Sequence, residues 1–297
     1  MRNFISEDDI EQAILQKLEG DPFQYGILRC DPSPDKRELL PDGTGRSSKK
    51  ECVLPLILRE ALARLNPDIP GEKLEEIARD LCRDFSATDM TATNYKYYNQ
   101  IRNGIKISLR RNGKEDFDFV KLVDFDRPEN NTFTAVSQMW IQGRVYWRRP
   151  DVLIFINGLP MVFVELKNSI VKVEEAYNDN LKNYLRDIPN LFALNQICVL
   201  SNGLETRLGA FNATYNHFFE WLKVDSEKER PDRQALKEAG TVGESSVRYF
   251  IDGLLQKGRL IDYIENFIMF RNQKNKIIAK NHQYFGVNNL MESVKNR

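Results

Sequence analysis

The sequence predicts an α/β protein: a central mixed β-sheet flanked by helices, with helical additions at both ends. Three observations predict it. Val152 to Ile156 and Met161 to Leu166 are apolar runs of strand length, rich in β-branched residues, and Asn157-Gly158 between them is a strong hairpin signal. A helical pattern from Val173 to Arg186 is followed by a short apolar strand from Gln196 to Leu200, as expected of a crossover connection. The stretches 6–18 and 246–294 both carry helical periodicity.

The hairpin organises the rest. Successive strand residues point to opposite faces, so Val152, Ile154 and Ile156 share a wholly apolar face with Val162, Val164 and Leu166. The other face carries Leu153, Phe155, Met161 and Phe163, then Asp151, Glu165 and Lys167 at its open end. A three-residue loop, Asn157 to Leu159, centres the hairpin on Gly158 and sets Asp151 opposite Glu165. Directly opposed residues have Cβ atoms roughly 4.5–5.5 Å apart. Two carboxylates that close repel when both are ionised, so a cation belongs between them. Lys167 is one candidate. A divalent ion such as Mg²⁺, held by one or two carboxylates plus water and phosphate oxygens, is the other. The plainer reading is a structural salt-bridge cluster. Against it, charges on strands that are apolar on both faces are costly without a purpose. The cluster also falls at a strand's C-terminal end, where α/β sheets place ligands. Glu165-x-Lys167 is the one Asp/Glu-x-Lys in the chain.

Composition excludes several classes. A chain of 297 residues, 41% hydrophobic and 29% charged, is ordinary for a soluble globular protein of one large or two smaller domains. No apolar run approaches the roughly 18–20 residues that span a membrane, so no membrane partner is expected. The N-terminus lacks a signal-peptide core, and Cys30, Cys52, Cys82 and Cys198 are scattered without a Cys-x-x-Cys. Reduced thiols in a cytoplasmic protein are expected. With only His217 and His282, histidine metal sites and a histidine-based triad are disfavoured. Lys plus Arg equals Asp plus Glu, at 43 each, so any nucleic-acid surface must come from local clustering.

Ser6 caps a first helix running to Leu18, with Asp9 three residues on and Ile10, Ile14, Leu15 and Leu18 as its apolar stripe. Glu11 lies near that stripe. The stretch 31–50, rich in Pro, Gly, Asp and Ser, reads as a flexible connection. Its segment Asp42-Gly-Thr-Gly-Arg-Ser-Ser-Lys49 lacks the Gly-Lys-Ser/Thr ending of a phosphate loop. Helices are expected over 51–65, 71–85 and 88–102, and strands over 105–110, 117–125 and 133–142 that extend the hairpin's sheet. A turn is expected at Asn112-Gly113. Arg144, Arg148 and Arg149, with Tyr146 and Trp147 between them, precede Asp151. They either hold DNA phosphates beside the acids or are solvated arginines of an edge strand. His217 to Trp221 closes this core, and helices are expected at 246–256, 258–270 and 280–294.

Asp151, a spacer, then Glu165-x-Lys167 on a hairpin resembles the core of metal-dependent restriction-type nucleases. Arg149-Pro-Asp151, Asn157-Gly-Leu-Pro160, Glu165-Leu-Lys-Asn168, Ile188-Pro-Asn-Leu-Phe192 and Ser201-Asn-Gly203 resemble, in that order, the N-terminal region of the motor (R) subunit of type I restriction endonucleases. Arg59-Glu-Ala-Leu-Ala-Arg-Leu-Asn-Pro67, Asp124-Phe-Asp-x-Pro-x-Asn130, Gln138 and the last helix extend the likeness to most of the chain.

The resemblance implies a restriction-endonuclease-like core that hydrolyses DNA phosphodiester bonds with Mg²⁺, for which Mn²⁺ can substitute. Asp151, Glu165 and the Leu166 carbonyl would hold the metal, with Glu11 as a further candidate acid from the early helix. Otherwise Glu11 is a solvated helix acid. Lys167 would orient or deprotonate the attacking water, or offset phosphate charge. The family carries Gln-x-x-x-Tyr where this chain has Asn180-x-x-x-Tyr184, one methylene shorter at the amide. With Arg144, Arg148 and Arg149, this pair would face double-stranded DNA. Implied partners are the specificity and methyltransferase subunits of a type I complex. ATP would enter only through a motor domain whose phosphate loop is not in this chain. The domain expectation is 1–225 for the nuclease, 226–245 for a linker, and 246–297 for a helical segment leading toward the motor. The competing reading is a catalytically silent DNA-holding or assembly domain of the same complex.

Overall fold

The structure, a computed structural model, describes residues 4–83, 89–111 and 114–295. In chain order, its first elements are α1 (Glu7–Glu19), β1 (Gly26–Arg29), α2 (Pro55–Leu65), α3 (Gly71–Cys82), α4 (Met90–Asn103), β2 (Ile105–Arg111), β3 (Lys114–Val120) and β4 (Phe133–Ser137). Next come β5 (Ile141–Gln142), β6 (Trp147–Arg148), β7 (Val152–Ile156), β8 (Leu159–Leu166), α5 (Val173–Glu175), α6 (Lys182–Asp187), α7 (Asn190–Leu194) and β9 (Ile197–Ser201). The chain ends with β10 (Thr206–Gly209), β11 (Phe219–Glu220), α8 (Arg233–Lys237), α9 (Ser246–Leu254), α10 (Lys257–Asn266), β12 (Ile268–Arg271), β13 (Asn275–Ile278) and α11 (Asn281–Lys295).

A seven-stranded mixed sheet, ordered β1-β4-β7-β8-β9-β10-β11, is the centre. The expected α/β class with flanking helices is what forms. β8 lies in the middle, antiparallel to β7 and parallel to β9, and every residue of β7 and β8 is buried. Val152, Ile154, Ile156, Val162, Val164 and Leu166 face one apolar cluster with Ile10, Ile14 and Leu18 of α1 and Phe250 and Leu254 of α9. Leu153, Phe155 and Phe163 face a second cluster with Val173, Leu181, Tyr184 and Phe192 of the β8–β9 crossover. Each fully buried Val, Leu, Ile or Phe contributes roughly 1.5–3 kcal/mol, so this sandwich dominates the stability of the core.

The hairpin differs from expectation in one instructive way. Ile156 pairs with Leu159, so the loop is the two-residue turn Asn157-Gly158, with φ 52° and 80°, as a type I′ turn requires. A bulge at Met161 then shifts the register between Phe155↔Pro160 and Ile154↔Val162. The extra residue places Met161 on the α1 side rather than beside Phe163. It also restores Val152↔Val164, and continuing that register by one pair sets Asp151 opposite Glu165. A shorter loop plus a bulge thus reaches the same alignment as the three-residue loop. Asn157 is fully buried and works as a junction. Its Nδ2 donates to Leu122 O (2.9 Å) and Asn131 Oδ1 (2.7 Å), and its Oδ1 accepts from Thr132 N (2.8 Å).

Other expectations need correction. β2 and β3 form a separate two-stranded ribbon instead of extending the main sheet. The run 133–142 splits into β4 and β5, because Gln138 adopts a left-handed backbone (φ 57°) that ends the ladder. Helix α2 begins at Pro55 rather than residue 51, since proline suits the first helical turn. The stretch 31–50 is anchored rather than loose: the half-buried Asp42 is paired with the buried Arg46 (2.7 Å) and Lys49 (2.6 Å). The helix expected at 173–186 contains a π segment, Ala176–Leu181, between α5 and α6. The hairpin β12–β13 replaces the end of the helix expected to reach residue 270. The turn at 112–113 and the helix ends expected at 85 and 88 lie outside the described residues. Around the expected linker, α9, α10 and α11 place Phe250, Tyr263 and Tyr284 in the same apolar cluster as β7 and β8. Trp221 packs edge-on against Tyr263 at 5.6 Å.

Gly158 tests the turn. A Cβ there would meet Leu54 O at 2.6 Å and Leu58 N at 2.8 Å, on top of the strained φ. Gly158→Ala is expected to cost about 3 kcal/mol or more, read as a lowered midpoint in urea unfolding. A loss within the ~0.5 kcal/mol typical of surface substitutions would contradict this account of the turn.

Candidate active site

The site forms where β7 begins and β8 ends, at the carboxyl edge shared by the parallel strands β8 and β9. Lys167 N continues that edge by donating to Ser201 O (2.8 Å). Asp151 is held from two sides. Its Oδ2 accepts from Leu166 N (2.7 Å), and its Oδ1 lies 3.4 Å from Gln138 Nε2. Its own carbonyl accepts from Gln138 N (2.9 Å). Glu165 is 2% exposed, and its Oε1 accepts from Asn180 Nδ2 and lies 3.7 Å from Lys167 Nζ. Its Oε2 is buried without a hydrogen-bond donor. Such an orphaned acceptor is costly unless something positive meets it.

Electrostatics follow from that burial. Desolvation first, then the field of Asp151, pushes the Glu165 carboxyl well above its usual range, with Lys167 and the neighbouring Tyr184 hydroxyl opposing. Burial raises Asp151 to about 6, with the Leu166 N–H and Lys167 opposing. Burial and Asp151 raise Glu11 to about 7, although Gln138 donates to it. Three acids near one another, all pushed toward their neutral forms, mark an environment short of positive charge.

The residues singled out from sequence are partly brought together. Asp151, Glu165, Lys167 and Asn180 converge. Glu11 joins them through Gln138, whose Nε2 donates to Glu11 Oε2 as well as lying near Asp151. Tyr184 is buried, stacks edge-on against Phe163 (5.3 Å) and donates to Arg149 O (3.0 Å). Arg148 is bound to Asp187 (Nε to Oδ2, 2.7 Å), while Arg149 donates to Pro32 O and lies 5.1 Å over the Trp140 ring. Arg144 is exposed on the segment between β5 and β6. The part played by Gln138 was not foreseen. The visible signal was a polar residue breaking an apolar strand pattern.

Among the described residues no group of three or more His, Cys, Asp or Glu side chains is arranged to hold a metal ion. A cation at this edge would therefore rest on two carboxylates and on uncharged oxygens. The orphaned Glu165 Oε2 and the hard-oxygen donor set fit Mg²⁺, which keeps several waters and needs few protein ligands.

The raised carboxyls give a signed stability prediction. An acid whose folded pKa is raised binds more protons folded than unfolded, so its protonation favours the fold at low pH and that benefit fades as pH rises. For Asp151 the window runs from about 4 to about 6, and the full change is of order 3 kcal/mol. In chelator, melting temperature should decline over this window more steeply in wild type than in Asp151→Asn, and Glu165→Gln should melt higher than wild type at pH 8. Equal slopes and equal melting temperatures would contradict the strained acid pair.

Residues 4–217 match the family described as Type I restriction enzyme R protein N terminus. The chain is 31% identical over 297 residues to the type I restriction enzyme HindI endonuclease subunit of Haemophilus influenzae, covering 97% of this chain and 27% of that protein. It is 29% identical over 303 residues to a putative type I restriction enzyme MjaIXP endonuclease subunit of Methanocaldococcus jannaschii, again covering 27% of the relative and 95% of this chain. The chain therefore spans about a quarter of the length of these relatives. No helix among the described residues is long and apolar enough to cross a membrane. The match over most of its length places the chain in the family of type I restriction enzyme R protein N-terminal regions.

Proposed function

We propose that this chain is the Mg²⁺-dependent endonuclease module of a type I restriction R subunit, hydrolysing phosphodiester bonds of double-stranded DNA. The observation that carries the reading is the buried Glu165 Oε2, without a donor, on the strand directly opposed to Asp151. Asp151, Glu165 and the Leu166 carbonyl would hold the ion. A bound Mg²⁺ neutralises charge on the phosphoryl oxygens and lowers the pKa of its water.

The chain's own residues do the remaining work. Asn180 restrains one Glu165 oxygen and leaves the other free for the ion. Asn180 sits on the π segment and reaches Glu165 with an amide one methylene shorter than the family's glutamine. Leu166 N–H fixes one Asp151 oxygen. Lys167, with its ammonium 3.7 Å from Glu165 Oε1, is placed to orient the attacking water and to offset charge on the phosphate. Tyr184 ties the crossover helix to the backbone just before Asp151. Arg144, exposed beside Tyr146, meets a DNA phosphate, while Arg148 and Arg149 brace the segment that delivers Asp151. Base-specific reading belongs to a specificity subunit, with a methyltransferase subunit completing the complex. ATP acts through a motor domain in the remainder of the R subunit.

Plasmid nicking with Mg²⁺ or Mn²⁺ tests the reading. Asp151→Ala, Glu165→Ala and Lys167→Ala should each lose about 100-fold or more, and Lys167→Ala alone should keep metal binding. Arg144→Ala should weaken DNA binding and flatten its salt dependence. Retardation of DNA with no cleavage and no metal binding in wild type would instead establish the DNA-holding domain.

A further inference from the structure

Gln138 has no part in the proposed reaction itself, yet four of its features converge on the site. Its backbone is left-handed (φ 57°), a strained conformation uncommon for a residue other than glycine. It stops β4 and turns the side chain out of the ladder. Its N–H donates to Asp151 O (2.9 Å), so its own backbone is tied to the residue it serves. Its Nε2 donates to Glu11 Oε2 and lies 3.4 Å from Asp151 Oδ1. Its Oε1 is buried and has no donor.

The amide orientation is dictated by chemistry. With the ion seated and both carboxyls ionised, Glu11 and Asp151 accept and do not donate, so the NH₂ end faces both of them. One N–H then serves each acid, and the carbonyl is left with nothing to accept from. The NH₂ end thus faces the acids while the backbone is strained and the carbonyl is left unpartnered.

Helix α1 is fixed to the site at its other end as well. Ile5 and Ser169 exchange hydrogen bonds, Ile5 N to Ser169 Oγ and Ser169 N to Ile5 O, both 2.9 Å. Asn168 N donates to Glu7 Oε1 at 3.3 Å. Glu11 is thereby held in place, and it approaches Asp151 through Gln138.

We propose that Gln138 is a positioning residue: its amide links Glu11 of α1 to Asp151 and holds the Asp151 carboxylate at the angle that seats the divalent ion. The inference rests on the reading of Asp151 and Glu165 as a cation seat. It assigns Glu11 to the support of Gln138. Outer partners of this kind typically govern metal affinity by 10–100-fold.

The test is calorimetric titration of Mn²⁺ into wild type, Gln138→Asn, Gln138→Ala, Glu11→Gln and the Glu11→Gln/Gln138→Asn double variant, with melting temperatures recorded in chelator. Asparagine adopts the left-handed backbone more readily than glutamine but is too short to reach both acids. Gln138→Asn is therefore expected to melt no lower than wild type and to bind Mn²⁺ about tenfold more weakly. Glu11→Gln should weaken binding in the wild-type background and add nothing in the Gln138→Asn background. Unchanged Mn²⁺ affinity in both Gln138 variants would overturn the positioning role and leave the cation seat standing. Affinity that falls only together with a collapse in melting temperature, in both variants, would overturn it in favour of a purely architectural role. Failure of wild type itself to bind Mn²⁺ would overturn the cation seat and this inference together.

Discussion

The structure depends on placing two carboxylates opposite one another at the end of a hairpin that is otherwise apolar on both faces. β7 and β8 are buried throughout, and the helices packed on either side supply the burial. That apolar burial is what makes the acid pair unusual. In water, Asp151 and Glu165 would be ordinary carboxylates. Here both are driven toward neutrality, one oxygen finds no donor, and the nearest ammonium is 3.7 Å away. Salt bridges that exist only for stability usually satisfy their charges more completely, because breaking even one partner of a buried pair costs several kcal/mol. The Asp42, Arg46 and Lys49 cluster in the same chain is such a pair of bridges, with Asp42 held well below the usual carboxylate range by hydrogen bonds from Lys49 and Thr44 and by the charge of Arg46. The contrast separates a satisfied ion cluster from an acid pair with a buried oxygen left unpartnered.

Register is the means by which the fold delivers this pair. The Asn157-Gly158 turn fixes one end of the hairpin, and the bulge at Met161 corrects the pairing so that Asp151 and Glu165 oppose. A one-residue slip would send every side chain of a strand to the other face. Asn157 locks the turn to the segments around Leu122 and Asn131, and Gly158 O accepts from Leu54 N (2.9 Å) just ahead of α2. Distant parts of the chain thus hold the geometry at the opposite end of the strands. On the crossover side, the π segment and α6 bring Asn180 to Glu165 and Tyr184 to Arg149. On the α1 side, Glu11 and Gln138 reach Asp151.

Much of this was legible in the residues. Apolar, β-branched runs of strand length and the Asn-Gly signal marked β7 and β8, and the helix-then-strand pattern marked the crossover to β9. Capping chemistry marked α1, where Ser6 and Asp9 satisfy each other's backbone donors. The opposed acids followed from register, although through a loop length that the bulge replaces. What was not legible has physical causes. A bulge inserts one residue without changing composition, so Met161 gave no local signal. The ribbon β2–β3 has strand character, but strand character does not say which sheet a strand joins. β1 and β11 are short strands at the sheet edges, with too few residues for a period to show. The π segment keeps helical composition while changing the turn. Gln138 owes its place to a left-handed backbone that tertiary contacts impose. Of the arginines before Asp151, composition alone could not tell Arg148, spent on Asp187, from the exposed Arg144.

The proposed cation seat requires that Asp151 and Glu165, both pushed by burial toward their neutral forms, give up protons as a divalent ion binds. Calorimetric titration of Mg²⁺ or Mn²⁺ at pH 6, repeated in buffers of different ionisation enthalpy, counts the protons released on binding. Release of about one proton per ion bound, abolished in Asp151→Asn/Glu165→Gln, is the predicted result. Binding without proton release, or no binding, would contradict the claim.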